Sequence, residues 1–167
     1  GSVVCVKAES SFYKDVAVKR FSPKELSQPE AVRQSCQTEQ LVLKSFKHPN
    51  IISLLGYCLE EDGMDRVYLV YEYAARGDLS CVLHESENVV SYKQRIRIAL
   101  GVAHGLHHMH TKETGNPAFH RDVNSVNIVL DESYTPKLID YGFALYTPRE
   151  ENHSKSRSTF NSSLVSD

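Results

Sequence analysis

Apolar and polar positions along this chain repeat with two different periods, and the change of period divides it. Near the start, SVVCVK (2–7) and DVAVKR (15–20) are short valine-rich runs joined by a polar Ser- and Lys-containing connection, the pattern of a hairpin. Pro23 and Pro29 punctuate the next stretch. From Pro29 the spacing turns helical, with Val32, Cys36, Leu43 and Phe46 on one face and Glu30 in the first turn. KHPN (47–50) reads as a turn. Two strand-like runs follow, IISLLGYCLE (51–60) and RVYLVYEY (66–73), linked by the turn EDGM (61–64).

Beyond residue 77 helical spacing takes over. Asp78 is placed to cap a short helix ending at His84. Residues 91–111 give a long helix, opened by Ser91, with Ile96, Leu100, Ala103, Leu106 and His110 on one face. Its small residues Ala99, Ala103 and Gly105 predict close packing against a neighbour, and TGNP (114–117) ends it. Two short strands, NIVL (127–130) and KLID (137–140), flank the turn DESYTP. After Phe143 the chain is polar and rich in Ser and Thr, with no internal repeat anywhere.

Composition narrows the class without choosing a function. At 167 residues and 41% hydrophobic, the chain can bury a single core. A net charge of −2 supplies no field for nucleic acid or an anionic membrane. No apolar run is long enough to span a bilayer. Cys5, Cys36, Cys58 and Cys81 are widely spaced and form no CxxC pair, which predicts free thiols in a reducing, cytoplasmic setting. The four histidines of the long helix, His104, His107, His108 and His110, have metal-like spacing, but no acidic or thiol ligand accompanies them, and packing is the expectation.

The chemistry concentrates in five segments. VAVK ends in Lys19, Glu39 lies on the helix nine residues before His48 of HPNI, LVYEYAARGDL spans 69–79, FHRDVNSVN spans 119–127, and IDYGFA spans 139–144. In that order and at those separations, the chain resembles a protein kinase domain. LLGYC, LVYEY and IALGVAHGLHHMH further resemble the tyrosine-kinase-like serine/threonine group, including plant receptor-like kinases and the interleukin-1-receptor-associated kinases. The fold implied is α+β and two-lobed, here incomplete. Residues 1–73 would be a small lobe lacking its first strand, 74–77 the hinge, and 78–145 the opening of the larger lobe. Residues 146–167 would be an activation-segment-like or disordered tail. Its serines and Thr159, with Lys155 and Arg157 between them, fit a phosphate-accepting loop or a solvated tail equally well.

The resemblance assigns roles. Phosphoryl transfer needs alignment and charge stabilisation more than covalent help. Asp122 would accept the proton of a protein hydroxyl. Lys19 would hold the phosphates of ATP, and Glu39 would hold Lys19, although such a pair is more often an ordinary surface contact. Asn127 and Asp140 would bind Mg²⁺. Val3, Ala17 and Val129 would sandwich the adenine, Tyr71 would stand as gatekeeper, Glu72 to Ala74 would supply hinge backbone, and Asp78 would reach the ribose. Gly1 with Val3 matches only the end of a glycine-rich phosphate loop. Leu43, Leu54, His120 and Tyr141 would stack as an apolar column between lobes, with His120 packing rather than titrating, and Arg121 would tie the loop to the activation segment. Asn124 departs from the pattern, standing where serine/threonine kinases place a lysine and matching no tyrosine-kinase pattern either. Three readings stay open: an active kinase with protein substrates and an upstream receptor or adaptor, in the cytoplasm or as the cytoplasmic part of a membrane receptor; a pseudokinase scaffold; and an inactive fragment.

Overall fold

The computed structural model describes residues 2–6, 15–21, 27, 29–59, 67–84, 90–111 and 116–146. Gly1, the connection at 7–14, the turn at 61–64 and the Ser/Thr-rich stretch from 147 lie outside them, so the expectations placed there are not addressed.

The valine-rich runs pair as the alternation predicts. Strand β1 (Ser2–Val6) runs antiparallel to β2 (Val16–Arg20), with Val3 opposite Lys19 and Cys5 opposite Ala17. Helix α1 (Pro29–Ser45) follows, acidic in its first turn at Glu30 and basic in its last at Lys44, as the helix dipole favours. Strands β3 (Leu54–Leu59) and β4 (Val67–Glu72) complete an antiparallel sheet of order β1-β2-β4-β3, placing Ala17 opposite Tyr71. The second half holds α2 (Leu79–His84), α3 (Tyr92–Thr111) and two pairs of two- or three-residue strands. These are β5 (Ala118–Phe119) with β8 (Leu145–Tyr146), and β6 (Ile128–Leu130) with β7 (Pro136–Leu138). The class is α+β.

Both predicted caps form. Asp78 Oδ1 accepts the Cys81 amide at 2.9 Å. Ser91 and Gln94 make a reciprocal capping box, the Ser91 amide donating to Gln94 Oε1 at 2.9 Å and the Gln94 amide to Ser91 Oγ at 3.3 Å.

The inward face of α3 differs from the predicted one. Ile98, Gly101, Gly105 and Met109 are buried, whereas Ile96 and Leu100 are 44% and 53% exposed and Ala99 and Ala103 face outward. Close approach decides this. A Cβ on Gly101 would stand 2.5 Å from Pro136 Cγ and 2.9 Å from Asn50 Nδ2, and one on Gly105 would stand 2.9 Å from the Asn50 carbonyl oxygen. The helix therefore lies on its glycines, against β7 and the 46–53 loop.

That loop and the 74–78 connection join the two halves. Ile52 donates to the Leu138 carbonyl at 3.0 Å and Leu138 to that of Asn50 at 2.9 Å, while Asn50 Nδ2 reaches Pro136 O at 2.8 Å. Arg76 donates to Leu130 O at 3.0 Å, and Leu130 returns a bond to Gly77 O at 2.9 Å. Leu43, Phe46, Ile51, Leu69, Met109, Leu130, Leu138 and Tyr141 form one continuous core across these ties. Each such side chain contributes about 1.5–3 kcal/mol by leaving water.

Candidate active site

Two carboxylates from remote parts of the chain meet on Lys19. Its Nζ lies 3.0 Å from Glu39 Oε2 on α1 and 2.9 Å from Asp140 Oδ1 beyond β7. Glu39 is 1% exposed, so the pair is no solvated surface contact. Burial works against the Lys19 charge, but Glu39 and Asp140 outweigh it and hold the ammonium above the ordinary lysine range. The other oxygen of Glu39, Oε1, accepts the Tyr71 hydroxyl at 2.8 Å. Burial, then the Glu39 charge, pushes that phenol well up, so it stays a donor.

The Tyr71–Glu39 bond was not foreseen from the residues. A buried tyrosine hydroxyl needs a polar partner, and that requirement was the one available signal. Tyr141 meets the same requirement locally by donating to Leu138 O at 3.0 Å.

A cavity of about 490 Å³ opens beside this cluster. Val3, Ala17, Tyr71, Ala74, Asp78 and Val129, six of the residues expected to contact a nucleotide, line it. Lys19, Glu39, Glu72, Asn127 and Asp140 line it too, and so does the exposed Cys5. Asp78 thus both caps α2 and faces the cavity. Glu72 uses its carboxylate as a brace. It accepts the Ser53 amide at 2.8 Å, and its second oxygen lies 3.2 Å from Lys137 Nζ. Burial works to raise the pKa of Glu72, but the Ser53 bonds and the Lys137 charge prevail and hold it below the usual carboxylate range.

The 120–127 loop stands at the cavity's edge. Asp122 and Asn124 are not among its walls; Asn127 is, and it draws Asp122 in. Asn127 Nδ2 donates to Asp122 Oδ2 at 2.8 Å and to its carbonyl at 2.9 Å. Asn124 Nδ2 donates to Asp122 Oδ1 at 3.1 Å. His120 is 1% exposed, its ring 4.8 Å from that of Tyr141. Its Nδ1 accepts the Asp122 amide at 3.3 Å, which leaves Nε2–H to donate to Ile139 O at 2.9 Å. Burial holds it below the ordinary imidazole range, against the Ile139 bond and the Asp122 and Asp140 charges. With Leu43 buried and Leu54 half-buried, the four residues of the expected column all belong to or pack on the interior.

Arg121 and Asp140 both adopt left-handed backbone, each at φ 64°. Such geometry costs about 1–3 kcal/mol for a non-glycine residue. Arg121 is held by its Nε bond to Phe143 O at 2.6 Å, and Asp140 by Lys19. Gly142 backs onto α1, where an added Cβ would run into the Ser35 hydroxyl. Among the described residues no group of three or more His, Cys, Asp or Glu side chains could hold a metal, the α3 histidines included. Asn127 and Asp140 together still offer oxygen donors at one wall.

Comparison with known proteins adds ancestry to this geometry. The family described as protein tyrosine and serine/threonine kinase matches residues 1–164. A probable receptor-like protein kinase of Arabidopsis thaliana is 42% identical over 134 residues, which is 80% of this chain and 15% of that protein. Receptor-like protein kinase HERK 1 of the same plant is 40% identical over 134 residues, again 80% of this chain and 15% of its own length. Probable serine/threonine-protein kinase PBL28, also from Arabidopsis thaliana, is 38% identical over 135 residues, 80% of this chain and 35% of its length. The chain therefore spans between about a seventh and a third of the curated relatives it matches.

Proposed function

This chain belongs to the protein tyrosine and serine/threonine kinase family, and on that premise we propose that it transfers the γ-phosphate of ATP to serine or threonine hydroxyls of a protein substrate. The observation that carries the reading is the convergence of Lys19, Glu39 and Asp140 at one wall of a nucleotide-sized cavity, from positions up to 121 residues apart. Lys19 grips phosphate oxygens, Glu39 keeps it extended, and Asp122 orients the attacking hydroxyl and takes its proton. Val3, Ala17 and Val129 enclose the base, and backbone from Glu72 to Ala74 reads its edge. Gly1 would belong to the phosphate loop. On this reading 1–73 is the small lobe, 74–77 the hinge, 78–145 the start of the larger lobe and 146–167 the activation-segment-like end.

The donors suit Mg²⁺. It is a hard cation that takes one or two protein oxygens and completes its shell with phosphate and water. Asn127 commits its Nδ2 to Asp122, which turns its oxygen Oδ1 away from that residue, and Asp140 engages Lys19 through one oxygen only. When bound, the ion would neutralise phosphate charge.

Relatives named as receptor-like kinases and as a serine/threonine kinase support hydroxyl substrates and an upstream receptor or adaptor, with this domain on the cytoplasmic side. Among the described residues no helix is long and apolar enough to cross a membrane. One observation favours a second reading, a pseudokinase that binds nucleotide and signals by association: Asn124 brings no cation to the site of transfer.

The test is phosphotransfer to a generic basic protein with Mg-ATP, alongside thermal shift. Asp122→Asn should lower the rate by roughly 10²–10⁴-fold while leaving the nucleotide-induced shift intact. Nucleotide binding without transfer by the wild-type protein would replace the first reading by the second. No binding at all would remove both.

A further inference from the structure

Asn124, the residue that departs from the pattern, is occupied in a different way from a lysine. Its backbone is extended (φ −150°, ψ 172°), and it caps the 3₁₀ turn Ser125–Asn127. The side-chain oxygen accepts two amides at once, from Val126 at 3.0 Å and Asn127 at 3.2 Å. Those two bonds fix the plane of the side-chain amide, so Nδ2 has one direction left. It points at Asp122, 3.1 Å from Oδ1 and a longer 3.4 Å from the carbonyl oxygen. Asn127, carried by the same turn, holds the opposite carboxylate oxygen at 2.8 Å. Each oxygen of Asp122 thus receives a neutral amide donor from its own side. A lysine ammonium has three donors and no acceptor, so it could face Asp122 but could not take the two turn amides.

We infer that Asn124 is a positioning residue for the transfer reaction. It acts through Asp122, setting the carboxylate's orientation, and simultaneously ties that orientation to the turn that presents Asn127. The inference rests on the phosphotransfer reading above. It also gives the uncharged side chain a task in an active site, where otherwise it counts only as a missing cation. A misplacement of a reacting group by about 1 Å can cost on the order of a hundredfold in rate.

Asn124→Asp separates the two tasks. The carboxylate keeps an oxygen for both turn amides and remains a good cap, but it removes the donor and sets a like charge against Asp122. In the full chain, Asn124→Asp should keep the wild-type KM for Mg-ATP and lose roughly ten- to a hundredfold in kcat. Asn124→Ala, which also loses the cap, should lower both kcat and the unfolding temperature. A wild-type kcat in Asn124→Asp overturns the inference. So does a kcat loss accompanied by an equal loss of Mg-ATP affinity, which would mark a general disruption of the site and not a lost orientation of Asp122. If the wild type binds Mg-ATP but transfers nothing, the kinase reading fails separately. The inference is then decided by the crystal structure of Asn124→Asp: a rotated Asp122 carboxylate upholds it, and an unmoved one overturns it.

Discussion

Replacing Tyr71 by Phe isolates one atom whose contribution follows from the structure. The ring is 7% exposed and packs in the core, and phenylalanine keeps that packing. What disappears is the hydroxyl that donates to Glu39 Oε1 at 2.8 Å. Glu39 is 1% exposed, so water does not readily replace the donor, and the carboxylate is left with Lys19 on its other oxygen. A hydrogen bond to a charged group contributes about 1.5–3 kcal/mol. For a chain of this size each kcal/mol corresponds to roughly 2–4 °C, so the unfolding temperature should fall by about 3–12 °C. Urea unfolding at neutral pH, read by far-ultraviolet circular dichroism, gives the stability change directly if the m value is constant. A double-mutant cycle with Glu39→Ala, which removes the acceptor, then isolates the pairwise part. An unchanged midpoint in Tyr71→Phe, or a coupling below about 0.5 kcal/mol, would refute the claim that this hydroxyl anchors Glu39.

Gly101→Ala should destabilise by about 1–3 kcal/mol through overpacking against Pro136 and Asn50, despite alanine's better helix propensity; a gain in unfolding temperature would contradict the packing described. Lys19→Met leaves the buried Glu39 without its cation and should cost about 3–5 kcal/mol, measurable by the same urea titration, as well as nucleotide affinity. Stability should fall as the pH drops below about 6.5, the ordinary imidazole value. Burial, with His108 and His104 beside it, holds His48 below that value, and burial does the same to His120. The unfolded chain therefore takes up protons that the native state resists until the lower native value is reached. Thermal unfolding at pH 7.5 and 5.5 checks the sign, and a flat or rising profile on acidification would be wrong for it.

The order of elements could be read because strands and helices impose different apolar periods, and both caps because Asp78 and Ser91 stand directly before helical runs. The family pattern also named the residues around the cavity. What escaped the sequence depends on approach distance and on pairing between remote positions. Gly101 has no side chain to register in an apolar pattern, yet its bareness turns α3 onto β7 and carries Ile96 and Leu100 outward. Tyr71 and Glu39 are 32 positions apart, and Glu72 and Lys137 are 65 apart. Neither spacing is periodic. Asn124 was visible as an unusual residue, but its two-sided use of one amide required coordinates.

Cys5 gives the protein a built-in footprint. The thiol stands in the wall of the cavity and is open to solvent, whereas Cys36 is sealed inside α1's packed face with its thiol pushed up to about 11. Only a thiolate alkylates readily, so Cys36 stays silent while Cys5 reports. Whatever occupies the cavity shields Cys5 and leaves the outlying Cys58 and Cys81 as internal references, so peptide-resolved alkylation measures occupancy without a labelled ligand or any turnover.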